Sequence, residues 1–250
     1  MRMHHARDTG EVTDHRAGIV ALIPAYEEAA RIADVVAGAH RHLPVIVVDD
    51  GSTDDTARLA ENAGARVLRQ VPNAGKGAAL RAGFRAALED GVEAVVTLDA
   101  DGQHDPAEIP AFLEAFAIDR PELVIGRRDS RAMPPARRAS NVAGGALLAI
   151  ALGRAVPDNQ SGFRLIGRRL MGAMLDSDES GFEFEVEMIA RCIALGLPIA
   201  SVPIRTIYAG EASHIRPWRH FTQFLRIARK ARRIARGADV PHSAAGSDSA

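Results

Sequence analysis

Two aspartates end an apolar run in "VVTLDADGQHDPAEIP", residues 95–110. One residue separates Asp99 from Asp101, so on an extended or turning segment both carboxylates project to the same side. Like charges that close repel unless a cation lies between them. Oxygen donors of this kind suit Mg2+ or Mn2+, which keep open positions for the phosphates of a substrate. A helix cap or a loop pair of acids has the same spacing, but the place at the end of an apolar run, before Gly-Gln-His-Asp-Pro, favours the metal.

A second acidic cluster, "VVDDGSTDDT", ends another apolar run at Asp49 and Asp50. An acid there can accept hydrogen bonds from a ribose or a base N–H. Dinucleotide binding would need G-x-G-x-x-G after the first strand, where this chain has "PAYEE". "NAGKGAAL" departs from the phosphate-binding loop G-x-x-x-x-G-K-[ST]: residue 70 is Gln, and Gly77 replaces the Ser or Thr. Lys76 reads equally as a phosphate contact or as a solvated lysine opening a helix.

These clusters need a frame, and the pattern predicts one. Apolar runs "GIVALIP", "PVIVVDD", "ARVLRQ", "EAVVTLD" and "ELVIG" alternate with Ala-rich helical stretches. Runs without polar alternation indicate strands covered on both faces, and strand–helix alternation indicates a parallel α/β sheet. Ligands of such sheets bind beyond the carboxyl ends of the strands. Pro24, Asp49–Asp50, Asp99–Asp101 and Gly126–Arg128 all fall at those ends, so four polar clusters should meet in one crevice. In "TDDTARLAENAG", Thr53 or Asp54 is the expected helix cap and Gly64 the stop.

Composition bounds the rest. The chain has 250 residues, 47% of them hydrophobic, enough for one good core. A net charge of −1 and 4% aromatics give no sign of a nucleic-acid partner or a base-stacking surface. One cysteine, Cys192, excludes an internal disulfide, suits a reducing compartment and reads as a core residue of an apolar helix. No apolar run reaches the ~20 residues of a membrane span. The longest, 142–153, reads as a core helix or a shallow membrane contact. Residues 1–18 lack the apolar stretch of a signal peptide, so a cytoplasmic protein is expected. Residues 1–17, with His4, His5 and His15, and residues 237–250 read as disordered tails around a single domain, 18–236. Within it, 217–236 reads as a basic amphipathic helix. Phe221, Phe224, Leu225, Ile227, Ala231 and Ile234 lie on one half, and Arg219, Arg226, Arg229, Lys230, Arg233 and Arg236 on the other. Such a helix either lies on an anionic membrane surface or packs on the domain with a solvated basic face.

Taken in order, "ALIPAYEEA", "VIVVDDGSTDDT", "NAGKGAALRAGF", "VVTLDADGQHDPAEIP", "VIGRR", "DNQSGFRLIGRRLM", "FEFEVEMIARCIALGLPIASVPI" and "YAGEASHIRPWRH" resemble family 2 glycosyltransferases. The branch is that of dolichyl-phosphate mannosyltransferase and bacterial polyprenyl-phosphate sugar transferases, and the resemblance spans roughly residues 18 to 230. It implies the GT-A fold, a mostly parallel sheet flanked by helices that carries a D-x-D metal site for a sugar nucleotide. It also implies inverting transfer of a hexose from a UDP- or GDP-sugar to a polyprenyl phosphate; any membrane contact, for which the basic helix is the one direct cue, is then expected to be peripheral. By position, Pro24, Tyr26 and Glu28 match nucleotide contacts, with Glu27 where the family usually has Asn. Val48 and Asp50 match base and ribose contacts. Asp99, Ala100, Asp101 and Gln103 match the metal and diphosphate segment, and Arg128 matches an arginine near the donor phosphates. Ser161, Gly162 and Phe163 match the segment that meets the acceptor, and His214 stands where a lysine often contacts diphosphate.

Chemically, the leaving diphosphate develops negative charge, which a metal on Asp99 and Asp101, with Arg128 and Lys76, would offset. A phosphate acceptor is already anionic and needs no base. A hydroxyl acceptor needs one, and Asp158, Glu183 and Glu185 are the candidates, although "GFEFEVEM" also reads as acids at a favourable helix start. A nucleotidyltransferase shares such a layer and metal but would carry a Gly-rich basic loop after the first strand, which "PAYEEAARI" is not.

Overall fold

The computed structural model describes residues 18–128, 135–156, 158–181, 183–205, 226 and 228–235. The predicted tails, His214 and most of 217–227 lie outside the described residues. The described chain runs β1 (Ile19–Ala25), α1 (Ile32–His40), β2 (Val45–Asp49), α2 (Thr56–Asn62), β3 (Arg66–Arg69), α3 (Lys76–Glu89) and β4 (Ala94–Thr97). A 3-10 turn, Pro106–Glu108, leads into α4 (Ile109–Asp119), then β5 (Leu123–Arg128), α5 (Pro135–Leu152), β6 (Arg164–Gly167), α6 (Arg168–Met174), α7 (Glu183–Ala194) and β7 (Ile199–Ile204). Residues 228–235 are helical again.

Among the described residues seven strands form one sheet in the order β3-β2-β1-β4-β6-β5-β7. The pairs β1–β2, β1–β4, β2–β3 and β5–β7 are parallel, as the alternation predicts. Two strands go beyond the five expected. β6 runs antiparallel to both β4 and β5. β7 lies on the outer edge, where Pro203 removes no ladder hydrogen bond the fold needs. Both escaped the pattern because "RLIG" is short and adjoins a helix, while "IASVPI" contains a proline.

The apolar runs are explained by two cores, one on each face. Ile46 and Val48 enter one with α3, α6 and α7, while Val45 and Val47 enter the other with α1 and α4. A strand covered on both sides has no position for a polar residue, and all five residues of β2 are buried. At the other edge β3 exposes Arg66 and Arg69, charges that disfavour pairing with another chain. α2 starts one residue later than expected, after Asp55, but the Asp54 carboxylate still accepts from Thr56 N at 3.0 Å. Gly64 follows the helix at φ 96°, the left-handed stop. In α5, Leu148 and Leu152 are buried while Ile150 is 75% exposed.

The segment 228–235 resolves one of the two readings of the basic helix. Ala231 and Ile234, 2% and 1% exposed, belong to the α3–α6–α7 core. This part of the apolar face is therefore packed on the domain, leaving Arg229, Arg232 and Arg233 on the outside.

Cys192 lies wholly inside the same core, with its thiol pushed up to about 12 by burial and by Glu122. The thiolate is the reactive form, so Cys192 should resist a thiol reagent in the native protein and react only with urea-induced unfolding. Rapid labelling of the folded chain, read by mass spectrometry, would contradict this packing.

Candidate active site

The β1–α1 and β2–α2 loops are laced together at the carboxyl ends of their strands, where Pro24 pairs with Val48 in register. Glu27 takes a left-handed φ of 55°, unusual for a side chain of its size. Its N–H donates to Ser52 Oγ at 2.9 Å, and its carboxylate accepts from Thr53 N and Thr53 Oγ1, both at 2.9 Å. Glu28 N and Ala29 N donate to Thr56 Oγ1 and Asp54 Oδ2. An Asn tolerates this backbone region more readily, and the bonds to Thr53 hold Glu27 in it. Tyr26 is left 51% exposed on this rim, while Val48 is fully buried.

The two acids after β2 divide their work. Asp49 accepts from Ser52 N and from Arg69 on β3. Asp50, nearly buried, accepts from Ala74 N at 2.9 Å, from Gly75 N at 2.7 Å and from Gln70. In this structure the Asp50 oxygens thus hold the turn that opens α3 and carries Lys76. The glycine after that lysine is also explained. Gly77 N donates to Ser180 O at 2.7 Å, and a Cβ at Gly77 would come within 2.5 Å of Glu179 O. A Ser or Thr, as in a phosphate-binding loop, does not fit there.

At the centre, Lys76 Nζ lies 2.5 Å from Asp99 Oδ1 and 2.9 Å from Glu185 Oε1. Burial pushes the Lys76 pKa down, but the two carboxylates outweigh it and hold the ammonium well above its ordinary value. Burial likewise raises the Asp99 carboxyl, and Lys76, His104 and Arg128 overcome it, holding it at about 2. Asp101 accepts from Gln103 N at 2.9 Å and Gln103 Nε2 at 2.8 Å. His104 is buried, accepts the Asp99 N–H on Nδ1 at 3.1 Å and lies beside the Phe163 ring. Burial pushes its pKa down, so the ring is neutral near pH 7.

Because β6 is antiparallel, the residues before it arrive at this same edge. Thr97 Oγ1 donates to Gly162 O at 2.8 Å, and Phe163 stacks on Phe112 at 4.4 Å. A Cβ on Gly162 would lie 2.8 Å from Asp99 Oδ2 and 2.9 Å from Lys76 Nζ, so the "SGF" segment closes directly over the ion pair. Arg164 holds it there from below. Its guanidinium, buried, donates to the carbonyls of Ser161 (2.8 Å), Asn159 (3.0 Å) and Glu185 (2.7 Å). Burial pushes its pKa down, against Glu185, Asp158 and Asp99. Arg128 forms a two-pronged pair with Asp158, at 2.7 Å on both sides, and its N–H adds a third bond at 3.0 Å.

The structure thus brings Lys76, Asp99, Gly162 and Glu185 into direct contact. Ala100, Asp101, Gln103, Ser161 and Phe163 are their chain neighbours, and Arg164 ties in the loop of Asp158 and hence Arg128. Pro24, Tyr26, Glu28 and Asp50 lie at the carboxyl ends of β1 and β2, with Val48 buried beneath them. Sequence reasoning passed over His104 and Arg164. His104 stood in plain sight beside the D-x-D, whereas nothing short of the antiparallel β6 marks Arg164 as buried.

Among the described residues no group of three or more His, Cys, Asp or Glu side chains is arranged around a metal position. The donors present are the Asp99 and Asp101 carboxylates and the Gln103 amide. Such an oxygen set fits Mg2+ or Mn2+, which bind through one or two carboxylates and take remaining ligands from phosphates and water.

The fold and this edge define a GT-A enzyme. The model of Glycosyl transferase family 2 matches residues 20–174, and the chain belongs to that family. It is a glycosyltransferase. Undecaprenyl-phosphate mannosyltransferase of Micrococcus luteus is 35% identical over 201 residues, covering 74% of this chain and 82% of that protein. Polyprenol monophosphomannose synthase of Mycolicibacterium smegmatis is 31% identical over 199 residues, 73% of this chain and 75% of that one. Among solved structures, glucosyl-3-phosphoglycerate synthase of Mycobacterium tuberculosis, in complex with Mn2+, UDP and glucosyl-3-phosphoglycerate, superposes with a TM-score of 0.67. It is 26% identical and covers 97% of this chain and 88% of that one.

Adding a methyl at Gly162 tests the site directly. The atoms it meets are side-chain ends, which can move, so Gly162→Ala should fold with a Tm within ~3 °C of wild type. Displacing the Asp99–Lys76 pair should lower kcat/KM for sugar transfer by about tenfold or more. Unchanged kinetics would show that the segment does not bear on the reacting centre.

Proposed function

We propose that this enzyme transfers a hexose, with inversion, from a UDP- or GDP-sugar to a polyprenyl phosphate. The observation that carries the choice of acceptor is the state of the three carboxylates that could serve as a base. Asp158 is paired with Arg128, Glu185 with Lys76, and Glu183 with Arg226 at 3.5 Å. A hydroxyl acceptor would have to recruit one of these held acids, whereas a phosphate oxygen attacks without losing a proton. The names of the 31–35% identical relatives agree with this acceptor.

In this reading the nucleotide lies on the ends of β1 and β2, over Pro24, Tyr26, Glu28 and Asp50 with Val48 packed beneath them; His214, the predicted diphosphate contact, lies outside the described residues. Asp99, Asp101 and Gln103 would hold the divalent cation, which offsets charge on the departing diphosphate. Arg128 and Lys76 add positive charge beside it, with Asp158 keeping the guanidinium in place. Ser161, Gly162 and Phe163 line the approach of the acceptor phosphate.

The lipid acceptor implies work at a membrane surface, on the cytoplasmic side in this reading. No helix among the described residues is long and apolar enough to cross a bilayer. Ala231 and Ile234 are consumed in packing, so this stretch contributes charge instead of insertion: Arg226, 68% exposed, with Arg229, Arg232 and Arg233. Binding to phosphatidylglycerol vesicles should therefore fall steeply between ~0.05 and ~0.5 M salt, because exposed charges are screened. Salt-independent sedimentation would point to insertion by another segment.

A second reading keeps the donor and gives the sugar to a hydroxyl, favoured by the structural likeness to glucosyl-3-phosphoglycerate synthase. One assay separates the two. Purified enzyme with Mn2+ and labelled UDP- or GDP-sugars is offered a short polyprenyl phosphate or phosphoglyceric acid, with Asp101→Ala as control. Label is expected in the organic phase for one donor, falling by about 100-fold or more in the variant. Label in the aqueous product alone would establish the hydroxyl reading.

A further inference from the structure

Lys76 occupies one of the two carboxylates that the proposed function assigns to the metal. Its ammonium touches Asp99 at 2.5 Å and Glu185 at 2.9 Å, and the backbone of Gly162 lies against both Lys76 and Asp99. We propose that Lys76 is a resident counter-cation: it neutralises Asp99 while the site is empty and yields that carboxylate when metal and the donor diphosphate load together. The inference rests on the metal reading of Asp99 and Asp101.

Three observations carry it. Without Lys76, Asp99 and Glu185 would face each other from different elements in a partly buried site, a repulsion that needs a positive charge between them. Next, an ammonium at hydrogen-bond distance and a divalent ion compete for the same carboxylate, so binding of one opposes the other. Finally, Lys76 is built to move at its tip and not at its base. Its backbone is fixed through the Asp50 bonds to Ala74 and Gly75, while its four-carbon stem is flexible and Glu185 keeps the ammonium close.

The consequence is a coupling between ligands. Metal alone must part Lys76 from Asp99 and leave the ammonium with Glu185 as its one remaining carboxylate. A diphosphate supplies ligands to the metal and a new anionic partner to the ammonium, so each ligand strengthens the other, and the coupling is reciprocal. This keeps the carboxylate pair neutralised between turnovers and ties metal capture to arrival of the donor.

Titration of the full chain with Mn2+, followed by electron paramagnetic resonance, tests this without turnover. In the absence of nucleotide, Lys76→Gln should bind Mn2+ about tenfold more tightly than wild type, since a competing cation is gone. The tightening of Mn2+ by UDP or GDP should be larger in wild type than in the variant. Arg81→Gln serves as a control for a general field effect, because Arg81 lies on the same helix but bonds the Glu179 carbonyl; its Mn2+ affinity should match wild type. If Lys76→Gln does not fold, the pair Lys76→Gln with Glu185→Gln removes the uncompensated acid and carries the same expectation. Equal Mn2+ affinity in wild type and the Lys76 variant, or equal tightening by Arg81→Gln, would overturn the proposal while leaving the metal reading intact. No Mn2+ binding to any of them, even with nucleotide, would overturn both.

Discussion

Acidic groups crowd the carboxyl edge of the sheet, and the architecture there depends on how their charge is compensated. Asp99, Asp158 and Glu185 come from three separate stretches of chain, and each meets a cation whose own position is fixed by backbone. Lys76 opens α3 from a turn held by Asp50, and Arg128 ends β5 with its own N–H bonded to Asp158. Buried Arg164 ties the Asn159, Ser161 and Glu185 carbonyls together. Leaving one of these charges unpaired at so crowded an edge is unfavourable, most of all for the buried Arg164, so the three cations and their acids form as a set. Under the proposed function, the cations that compensate these acids are the ones that would face a diphosphate.

Strand order does the rest. A purely parallel continuation after β5 would bring only the end of β6 to this edge and would send the residues before it to the far side. With β6 reversed between β4 and β5, Arg164 stands opposite Thr97, and Ser161–Phe163 falls onto Asp99. The polar ends of β1, β2 and β4 and the Ser161–Phe163 segment before β6 therefore share one crevice. α7 completes it through Glu185, and its opposite face is anchored by Lys230, which bonds Glu179 and Glu187 at 2.6 and 2.8 Å.

Much of this was legible in the residues. Non-alternating apolar runs located β1, β2, β4 and β5 because a strand between two cores leaves no polar position. D-x-D stood out because two carboxylates one residue apart are unstable without a cation. Less was legible of the partners. Asp50 reads as a nucleotide contact, yet its oxygens brace the α3 turn, a role set by the approach of residues 70–75 that no local pattern records. Asp158 and Glu185 read as possible bases, and it took their pairing with Arg128 and Lys76 to place them as holders of cations.

Local physics thus determined the kind of protein. Side-chain periodicity and burial on both faces dictate the α/β layer, and the ordered motifs along it carry the family and the chemistry of a sugar nucleotide. The tertiary structure alone decided which charges touch. Ion pairing acts across space, so Lys76, Asp99, Gly162 and Glu185, spread over more than a hundred positions of the sequence, became one site only when β6 turned against its neighbours and α7 packed across α3. Likewise the face of 228–235 that met the core was settled by the apolar surface the domain had left to cover, a quantity that exists only once the other elements have assembled.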